Sequence, residues 1–249
     1  MRIHIKKFVL NHKNLMHSYS IIFEEPVDYL KALNYQRRLL KARQNDEIPD
    51  ITLLLQHNPV VTIGNRGRSN YLLKDLDEYK NLGIDVYQVE RGGDVTYHGP
   101  GQWVLYPIIK LGRKNVDSHG YLFNLEEIAI RVLKDFGVDG FRREDKSGAW
   151  TKNGKIAAIG FRLKKWVTFH GMSFNVLDNL SGFKTIVPCG LEGESVTSLE
   201  KIIGFNCDLM NSVRDQILLH FSNVCDRTLQ NIFINHEIPD FVKKYKPPL

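Results

Sequence analysis

The segment that most constrains how this chain folds is RGGDVTYHGPGQ, residues 91–102. Four glycines and one proline in twelve residues exclude a helix interior and an ordinary buried strand. Apolar, strand-like segments flank it at residues 84–89 and 103–109, so the pattern predicts a polar loop between two strands. We predict that this loop lines a pocket, with a glycine-rich turn that binds nothing as the alternative. Its polar side chains are Arg91, Asp94, Thr96, His98 and Gln102.

The charge of the chain indicates what kind of partner it meets. The sequence has 249 residues and a formal net charge of +6, which favours a negatively charged partner. Because the basic residues are scattered, an acidic protein fits at least as well as nucleic acid. No apolar run approaches the roughly 20 residues that span a bilayer. We therefore predict protein partners, with no membrane and no nucleic acid among them.

Cysteine usage and the amino terminus indicate the compartment. Cys189, Cys207 and Cys225 lack metal-ligand spacing, and an odd number of cysteines argues against a disulfide framework. We predict a reducing compartment, no metal site and no bound cofactor. The first residues lack the features of a secretory signal. A cytoplasmic location is predicted, with mitochondrion or plastid as alternatives.

Hydrophobic periodicity predicts the α+β class, with a mixed β-sheet flanked by helices. We expect one domain over residues 1–249, with a core at about residues 20–204 and a C-terminal helical extension at about 205–249. Helical patterns occupy residues 27–43, 74–82, 118–136 and 208–221. Strand patterns occupy residues 51–55, 60–63, 84–89, 103–109, 166–170 and 173–177.

A hairpin is predicted at Asn153-Gly154, which lies between two β-forming runs. A type I′ turn needs positive φ at both central positions, and Asn-Gly is the preferred pair for it. Lys155 then begins the second strand. Spacing alone favours a solvent-facing lysine at that position.

Cys189 has the local sequence of a nucleophile. Pro188 and Gly190 flank it, which predicts a turn or loop, whereas Cys207 and Cys225 are interpreted as buried small hydrophobes. The attacking species is the thiolate, so a catalytic cysteine benefits from a nearby cation or base. Lys155, His98 and His170 are the candidates. The residues themselves leave the choice among the three open.

Several separated motifs resemble the lipoyl (octanoyl) transferase family. RGGDVTYHGPGQ is followed in order by KIAAIGFR, FHGMSFNV and VPCGLEGESVTSL, and preceded by LLLQHNPVVTIGNRG. The resemblance covers roughly residues 53–199. It implies the fold of biotin and lipoate protein ligases. It also implies transfer of an octanoyl group from octanoyl-acyl carrier protein to a lysine of the apo lipoyl domain of a 2-oxoacid dehydrogenase or of glycine cleavage H protein.

The resemblance also assigns roles to residues. Cys189 matches the acyl-thioester nucleophile of the family, and Lys155 matches the lysine that lowers its pKa. His98 is interpreted as a pocket group that orients the site or bonds the substrate. The matching substrate-binding residues are Arg91, Gly92, Gly93, Asp94, Val95, Thr96, Tyr97, His98, Ala158, Ile159, Gly160, Gly171, Met172 and Ser173. Of these, Val95, Tyr97 and Ile159 are expected to form walls of an apolar tunnel.

Three other functions stay open at this stage. An ATP-dependent lipoate or biotin ligase would share the fold and would not need Cys189. A Cys/His acyl hydrolase would use His98 or His170 as its base and release free octanoate. A nucleic-acid-binding module would follow from the charge alone. The glycine spacing of residues 91–102 matches neither a Walker loop nor a dinucleotide fingerprint.

Overall fold

The computed structural model describes residues 16–67, 71–112, 117–187 and 195–234. Ten strands lie within these ranges: β1 Met16–Phe23, β2 Asp50–Leu55, β3 Val60–Ile63, β4 Asp85–Gln88, β5 Val95–His98, β6 Gln102–Ile108, β7 Ala149–Thr151, β8 Gly154–Lys164, β9 Val167–Asn175 and β10 Arg227–Ile234. The larger sheet has the order β10-β1-β2-β6-β9-β8-β7, and the smaller one β4-β3-β5. Both sheets mix parallel and antiparallel pairs, which confirms the predicted class.

Helices cover both faces of the larger sheet. Alternating side chains of β2 enter different cores: Leu53 and Leu55 pack on one face and Leu54 on the other. Because both faces are covered, β2 is buried along its whole length. The helices are α1 Tyr29–Gln44, α2 Leu76–Asn81, α3 Ser118–Asp135, α4 Leu199–Ile203 and α5 Leu209–Val224. Helix α1 packs on the first face, and α3 and α5 pack on the second.

Side-chain caps fix where the helices begin. The Asp28 carboxylate accepts a hydrogen bond from the backbone N–H of Lys31, at 2.8 Å, and so caps α1, which begins at Tyr29. The Asp117 carboxylate accepts from Gly120 N–H at 2.8 Å. Asp117 therefore caps α3, whose first residue is Ser118. None of the helices in the described ranges is long and apolar enough to cross a membrane.

The predicted loop at residues 91–102 contains a strand, which corrects the sequence interpretation. Residues 95–98 form β5 and pair antiparallel with β3, His98 opposite Val60. The glycines are confined to both ends of the segment, so its centre keeps an unbroken VTYH run that can pair. The polar loop is thus two short turns around an edge strand of the smaller sheet.

The hairpin is confirmed, but its turn differs from the predicted type. Thr151 pairs with Gly154, which leaves Lys152-Asn153 as the two-residue connection. Gly154 has a φ of 127°, and Asn153 is not among the positive-φ residues of the described ranges. A type I′ turn at Asn153-Gly154 is therefore wrong. The two strand patterns at residues 166–170 and 173–177 also merge into the single strand β9.

The segment expected to be a helical extension contains both a helix and a strand. Helix α5 buries Val213, Ile217 and Phe221 in the core shared with α3. Strand β10 then pairs in parallel with β1, so the described part of this segment completes the edge of the larger sheet. Within it Cys207 is exposed, contrary to its interpretation as a buried hydrophobe, and Cys225 is half-buried.

Candidate active site

A cavity of about 240 Å³ opens where β5 and β6 approach β8 and β9. Each strand contributes consecutive or alternate side chains, and three connecting loops complete the wall. Its lining residues are Arg66, Arg91, Gly93, Asp94, Val95, Thr96, His98, Val104, Tyr106, Asp145, Lys146, Ser147, Lys155, Ala158, Ile159, Gly160, His170, Gly171, Met172 and Ser173. Residues far apart in the sequence therefore meet around one space.

The cavity brings together most of the residues predicted from the sequence. Gly92 and Tyr97 are the two exceptions within the described ranges. The Tyr97 ring instead packs on Phe183, with ring centroids 5.5 Å apart, in a small cluster behind the cavity. Period-2 alternation explains this, because Tyr97 points away from the side that carries Thr96 and His98. Cys189 lies outside the described residues.

Sequence reasoning missed several lining residues. Val104 and Tyr106 lie on β6, where an apolar strand gave no sign of a site. Residues 145–147 lie in the loop before β7, which carries no motif. Arg66 was not missed: the glycine-arginine pattern of its GNRG segment indicates a loop that could line the same site, and Arg66 does line the cavity.

Arg91 anchors the glycine-rich segment to the strands beside it. Its guanidinium donates to the Thr62 carbonyl at 2.6 Å and to the Gly92 carbonyl at 3.0 Å. Gly92 N–H donates to the Phe161 carbonyl on β8 at 3.1 Å. A Cβ on Gly160 would lie 2.6 Å from the Gly92 carbonyl oxygen, so only glycine permits this approach. The segment is therefore held against β8 by backbone contacts.

Lys155 is buried, with 8% of its surface exposed, which differs from the solvent-facing lysine favoured by spacing alone. Its Nζ lies 5.4 Å from the centre of the Trp150 ring. Gly148 has a φ of 122°, and a Cβ there would lie 2.7 Å from Lys155 Cε. A larger residue at position 148 would thus displace the lysine. The backbone of Lys155 is fixed by hydrogen bonds to Ser195 and Thr197.

Three buried histidines lie near the cavity, and burial keeps each of them neutral. Burial lowers the pKa of His57 to about 4. It also lowers the pKa of His98 well below the ordinary value, with a smaller effect of His57. For His170, burial together with the charge of Arg91 lowers the pKa to about 3. The polar wall of the cavity therefore carries uncharged imidazoles at neutral pH.

The three imidazoles differ in their hydrogen bonds. His57 Nδ1 lies 2.9 Å from the Val27 carbonyl oxygen, and its Nε2 lies 2.8 Å from the Tyr106 hydroxyl. His98 Nδ1 lies 2.7 Å from Gln102 Oε1. Neither ring nitrogen of His170 has a partner among the described residues. His170 also has a φ of 54°, a conformation that L residues rarely adopt. It is the least satisfied polar group on the cavity.

Both flanks of residues 188–194, which include Cys189, are bonded to the rest of the fold. Before them, Val187 N–H donates to the Tyr71 carbonyl at 2.8 Å. After them, the Ser195 carbonyl accepts from Lys155 N–H at 2.9 Å. The chain that follows the predicted nucleophile is therefore attached to the predicted catalytic lysine. In the described ranges, no group of three His, Cys, Asp or Glu residues could hold a metal ion.

Known proteins resemble this chain in sequence and in structure. The family model for the lipoyl protein ligase A/B catalytic domain matches residues 28–222. An octanoyltransferase of Caldicellulosiruptor saccharolyticus is 47% identical over 74% of this chain and 80% of that protein. An octanoyltransferase of Caldicellulosiruptor bescii is 45% identical over 87% of this chain and 95% of that protein. A chloroplastic octanoyltransferase of Arabidopsis thaliana is 40% identical over 82% of this chain and 76% of that protein.

The fold agrees with these sequence matches. A crystal structure of lipoate-protein ligase A bound with ATP superposes with a TM-score of 0.73 over 92% of this chain and 94% of that one. At 17% identity this likeness concerns the fold alone. The sequence matches are more specific, since they extend over most of both proteins. The chain therefore belongs to the lipoyl protein ligase A/B catalytic-domain family, within its octanoyltransferase group.

Proposed function

We propose that this chain moves an octanoyl group from acyl carrier protein to a lysine of a lipoyl domain, through a thioester on Cys189. The observation that carries the proposal is the buried Lys155 on a cavity lined by the glycine-rich segment, β8 and β9. The octanoyltransferase relatives support the choice of acyl group. The predicted site residues, Cys189 and Lys155 among them, are part of this proposal.

The cavity has walls suited to an acyl chain and its reacting end. Val104, Ile159 and Met172 offer apolar surface. Met adapts to ligands of varied shape because it is unbranched and polarizable. Arg91, His98 and Lys155 also line the cavity and offer polar groups for the reacting end of a ligand. A ligand with an apolar acyl chain and one polar end matches this combination of apolar and polar lining residues.

The first half-reaction acylates the enzyme. The Cys189 thiolate attacks the thioester carbonyl carbon, a new C–S bond forms, and the carrier's C–S bond breaks. The carrier leaves as a thiolate and takes a proton. The positive charge of Lys155 favours the thiolate form of the cysteine, and the backbone contacts of Lys155 to Ser195 and Thr197 hold that charge in a fixed place.

The second half-reaction transfers the acyl group to the acceptor. The ε-amine of the lipoyl-domain lysine attacks the acyl-enzyme, the amide C–N bond forms and the bond to Cys189 breaks. The amine must lose one proton, and the thiolate leaving group is restored. Lys155, neutral after giving its proton to the carrier thiolate in the first half-reaction, accepts this proton and regains its charge. No co-reactant such as ATP is needed, because the thioester is already activated.

The preferred carriers are acidic proteins in this proposal. The cavity lining has four basic residues, Arg66, Arg91, Lys146 and Lys155, and two acidic ones, Asp94 and Asp145. The whole chain carries a net charge of +6. Such a surface speeds encounter with an acidic partner more than it raises final affinity. The acceptors are lipoyl domains of 2-oxoacid dehydrogenases and glycine cleavage H protein. We place the reaction in the cytoplasm, with mitochondrion or plastid as alternatives.

The test is intact-protein mass spectrometry after incubation with octanoyl-acyl carrier protein and no ATP. We expect one octanoyl group, labile to hydroxylamine, which peptide mapping assigns to Cys189 and which apo lipoyl domain removes. Free octanoate without an adduct would instead identify a hydrolase. A reaction that starts only when ATP and free octanoate are supplied would identify a ligase.

A further inference from the structure

A chain of buried hydrogen bonds connects the cavity to the backbone of Lys155. Asn175 Nδ2 donates to the Thr197 carbonyl at 3.0 Å, and Thr197 N–H donates to the Lys155 carbonyl at 3.0 Å. Gln102 Nε2 lies 2.8 Å from Asn175 Oδ1. His98 Nδ1 lies 2.7 Å from Gln102 Oε1. All five residues are buried.

The Thr197 carbonyl fixes which atom donates and which accepts in each side-chain hydrogen bond of this network. The Thr197 carbonyl can only accept, so the atom of Asn175 that faces it is the amide nitrogen. Asn175 therefore presents its oxygen to Gln102, whose amide nitrogen donates to it and also to the Tyr97 carbonyl at 3.3 Å. The remaining Gln102 oxygen must accept from His98. His98 is consequently protonated at Nδ1.

This direction leaves a specific atom for the ligand. A neutral imidazole protonated at Nδ1 has a lone pair at Nε2 and can only accept there. Burial favours the neutral form of the His98 ring, which lines the cavity. The group that bonds to Nε2 must therefore bring an N–H or O–H. A thioester has neither, whereas the amine of an acceptor lysine has N–H bonds.

We propose that Gln102 and Asn175 are positioning residues that hold His98 as its Nδ1–H tautomer, so that Nε2 accepts a hydrogen bond from the incoming amine. This inference rests on the proposed function and concerns only its second half-reaction. His98 orients the amine lone pair toward the acyl carbon, and Lys155 keeps the role of proton relay. No bond to carbon is made or broken by His98.

The first experiment reads the tautomer directly. Imidazole ¹⁵N shifts of ¹⁵N-histidine-labelled protein distinguish a protonated from an unprotonated ring nitrogen, and His98 is expected as Nδ1–H. His57 serves as an internal reference, because its tautomer is set independently by the Val27 carbonyl and Tyr106. A wild-type spectrum that shows His98 protonated at Nε2 overturns the proposal without any variant.

Two variants then test the positioning residues. Gln102→Met removes the acceptor for Nδ1–H, and Asn175→Leu frees the Gln102 amide to turn over, so both are expected to populate the Nε2–H tautomer. Unchanged His57 resonances show that the fold is kept. Asn179→Ala is the matched control, since Asn179 also donates to a backbone carbonyl, that of Pro100 at 3.2 Å, but is exposed. It should leave the His98 tautomer unchanged.

Single-turnover kinetics separate this inference from the proposed function. Discharge of octanoyl-enzyme by apo lipoyl domain should slow about 10- to 100-fold in Gln102→Met and Asn175→Leu. Formation of the octanoyl-enzyme should change little. Equal slowing of both half-reactions, or an unchanged tautomer, would overturn the positioning role. If wild-type enzyme forms no acyl adduct, the proposed function itself fails.

Discussion

Two buried polar clusters of this protein differ in how completely their groups are paired. One lies where β1, β2 and β10 meet, around Asp50. Its carboxylate accepts from Arg43 Nε at 2.6 Å, from Arg227 Nε at 2.9 Å and from Lys110 N–H at 3.0 Å. Arg227 in turn donates to the Cys225 carbonyl at 2.7 Å. This cluster ties the carboxy-terminal strand to the sheet through mutual charge compensation.

The cavity cluster is built in the opposite way. Its histidines are uncharged, and both ring nitrogens of His170 lack partners among the described residues. The Gln36 side chain accepts from His170 N–H at 2.7 Å, yet its own Nε2 has no partner in the same ranges. A buried polar group without a partner destabilises the folded state and so lowers the free energy of unfolding. The comparison indicates that the charged side chains around Asp50 are paired with one another, whereas His170 and Gln36 keep polar atoms without a partner among the described residues.

The largest expected effect is on catalysis, from the predicted nucleophile. Cys189→Ser should lower octanoyl transfer roughly a thousandfold or more, because a serine hydroxyl is a far weaker nucleophile without its own base. The measurement is the initial rate of octanoyl transfer to apo lipoyl domain. Cys207→Ser, at an exposed cysteine, is the control and should keep the normal rate. Near-normal transfer by Cys189→Ser would remove the nucleophile assignment.

The next effect concerns Lys155, the proposed cation of the site. Lys155→Met should slow alkylation of Cys189 by iodoacetamide at pH 7 about tenfold, because loss of a nearby cation raises the pKa of a thiol by about one unit. Peptide mapping follows the modification of Cys189 alone. Lys152→Met, at the exposed hairpin lysine, provides the matched control. An equal alkylation rate in both variants would contradict the role of Lys155.

A substitution in the cluster around Asp50 should lower the stability of the fold and leave octanoyl transfer unaffected. Asp50→Ala leaves the buried Arg227 and the half-buried Arg43 without their carboxylate, so the free energy of unfolding should fall by about 3 kcal/mol. Urea denaturation measures this loss. The exposed Asp46 also pairs with Arg43 and gives the control Asp46→Asn, since Asn tolerates its φ of 58°. Only a small loss is expected there, because solvent screens an exposed ion pair. A similarly small loss of unfolding free energy in both variants would contradict the stabilising role of the cluster around Asp50.

The smallest expected effect is an increase, not a decrease, in the free energy of unfolding. His170→Leu removes unpaired polar atoms from a buried site, so the free energy of unfolding at pH 7 should rise by about 1 kcal/mol while octanoyl transfer falls. Thermal and urea unfolding measure the first, and initial rates the second. Loss of stability without loss of activity would show that His170 serves the fold.

The same variant tests the pH dependence. The pKa of His170 in the folded protein is lowered to about 3, so the unfolded chain binds a proton first as the pH falls. Above about pH 6.5, the ordinary value, the ring is neutral in both states, and the free energy of unfolding does not depend on its titration. Between about pH 6.5 and pH 3 only the unfolded chain is protonated at this position, so the free energy of unfolding falls as the pH falls. His170→Leu should reduce the wild-type fall in unfolding free energy over that window, by about 1.4 kcal/mol for each pH unit. An identical pH profile would contradict the burial of a neutral ring.

The sequence predicted most of the secondary-structure elements and most of the residues that line the cavity together. Alternating and helical apolar patterns gave most strands and helices within a few residues, because one-sided or two-sided burial leaves a period in the sequence. The glycines of residues 91–102 signalled a close approach of backbones, which the contact between Gly92 and Gly160 explains. The hydrophobic pattern could not predict β5 inside the glycine-rich segment, because a four-residue strand depends on pairing with its partner β3.

Local sequence determined the secondary structure, the nearby turns and the motifs that identify the family. Tertiary structure decided which of those residues face each other: it buried Lys155 against Trp150, turned Tyr97 away from the cavity, and left His170 unpaired among the described residues. The physical reason is that hydrogen-bond partners and burial are properties of pairs far apart in the chain. Asp50 and Arg227 lie 177 residues apart, and Asn175 and Thr197 lie 22 apart. Only the folded sheet brings such pairs within bonding distance.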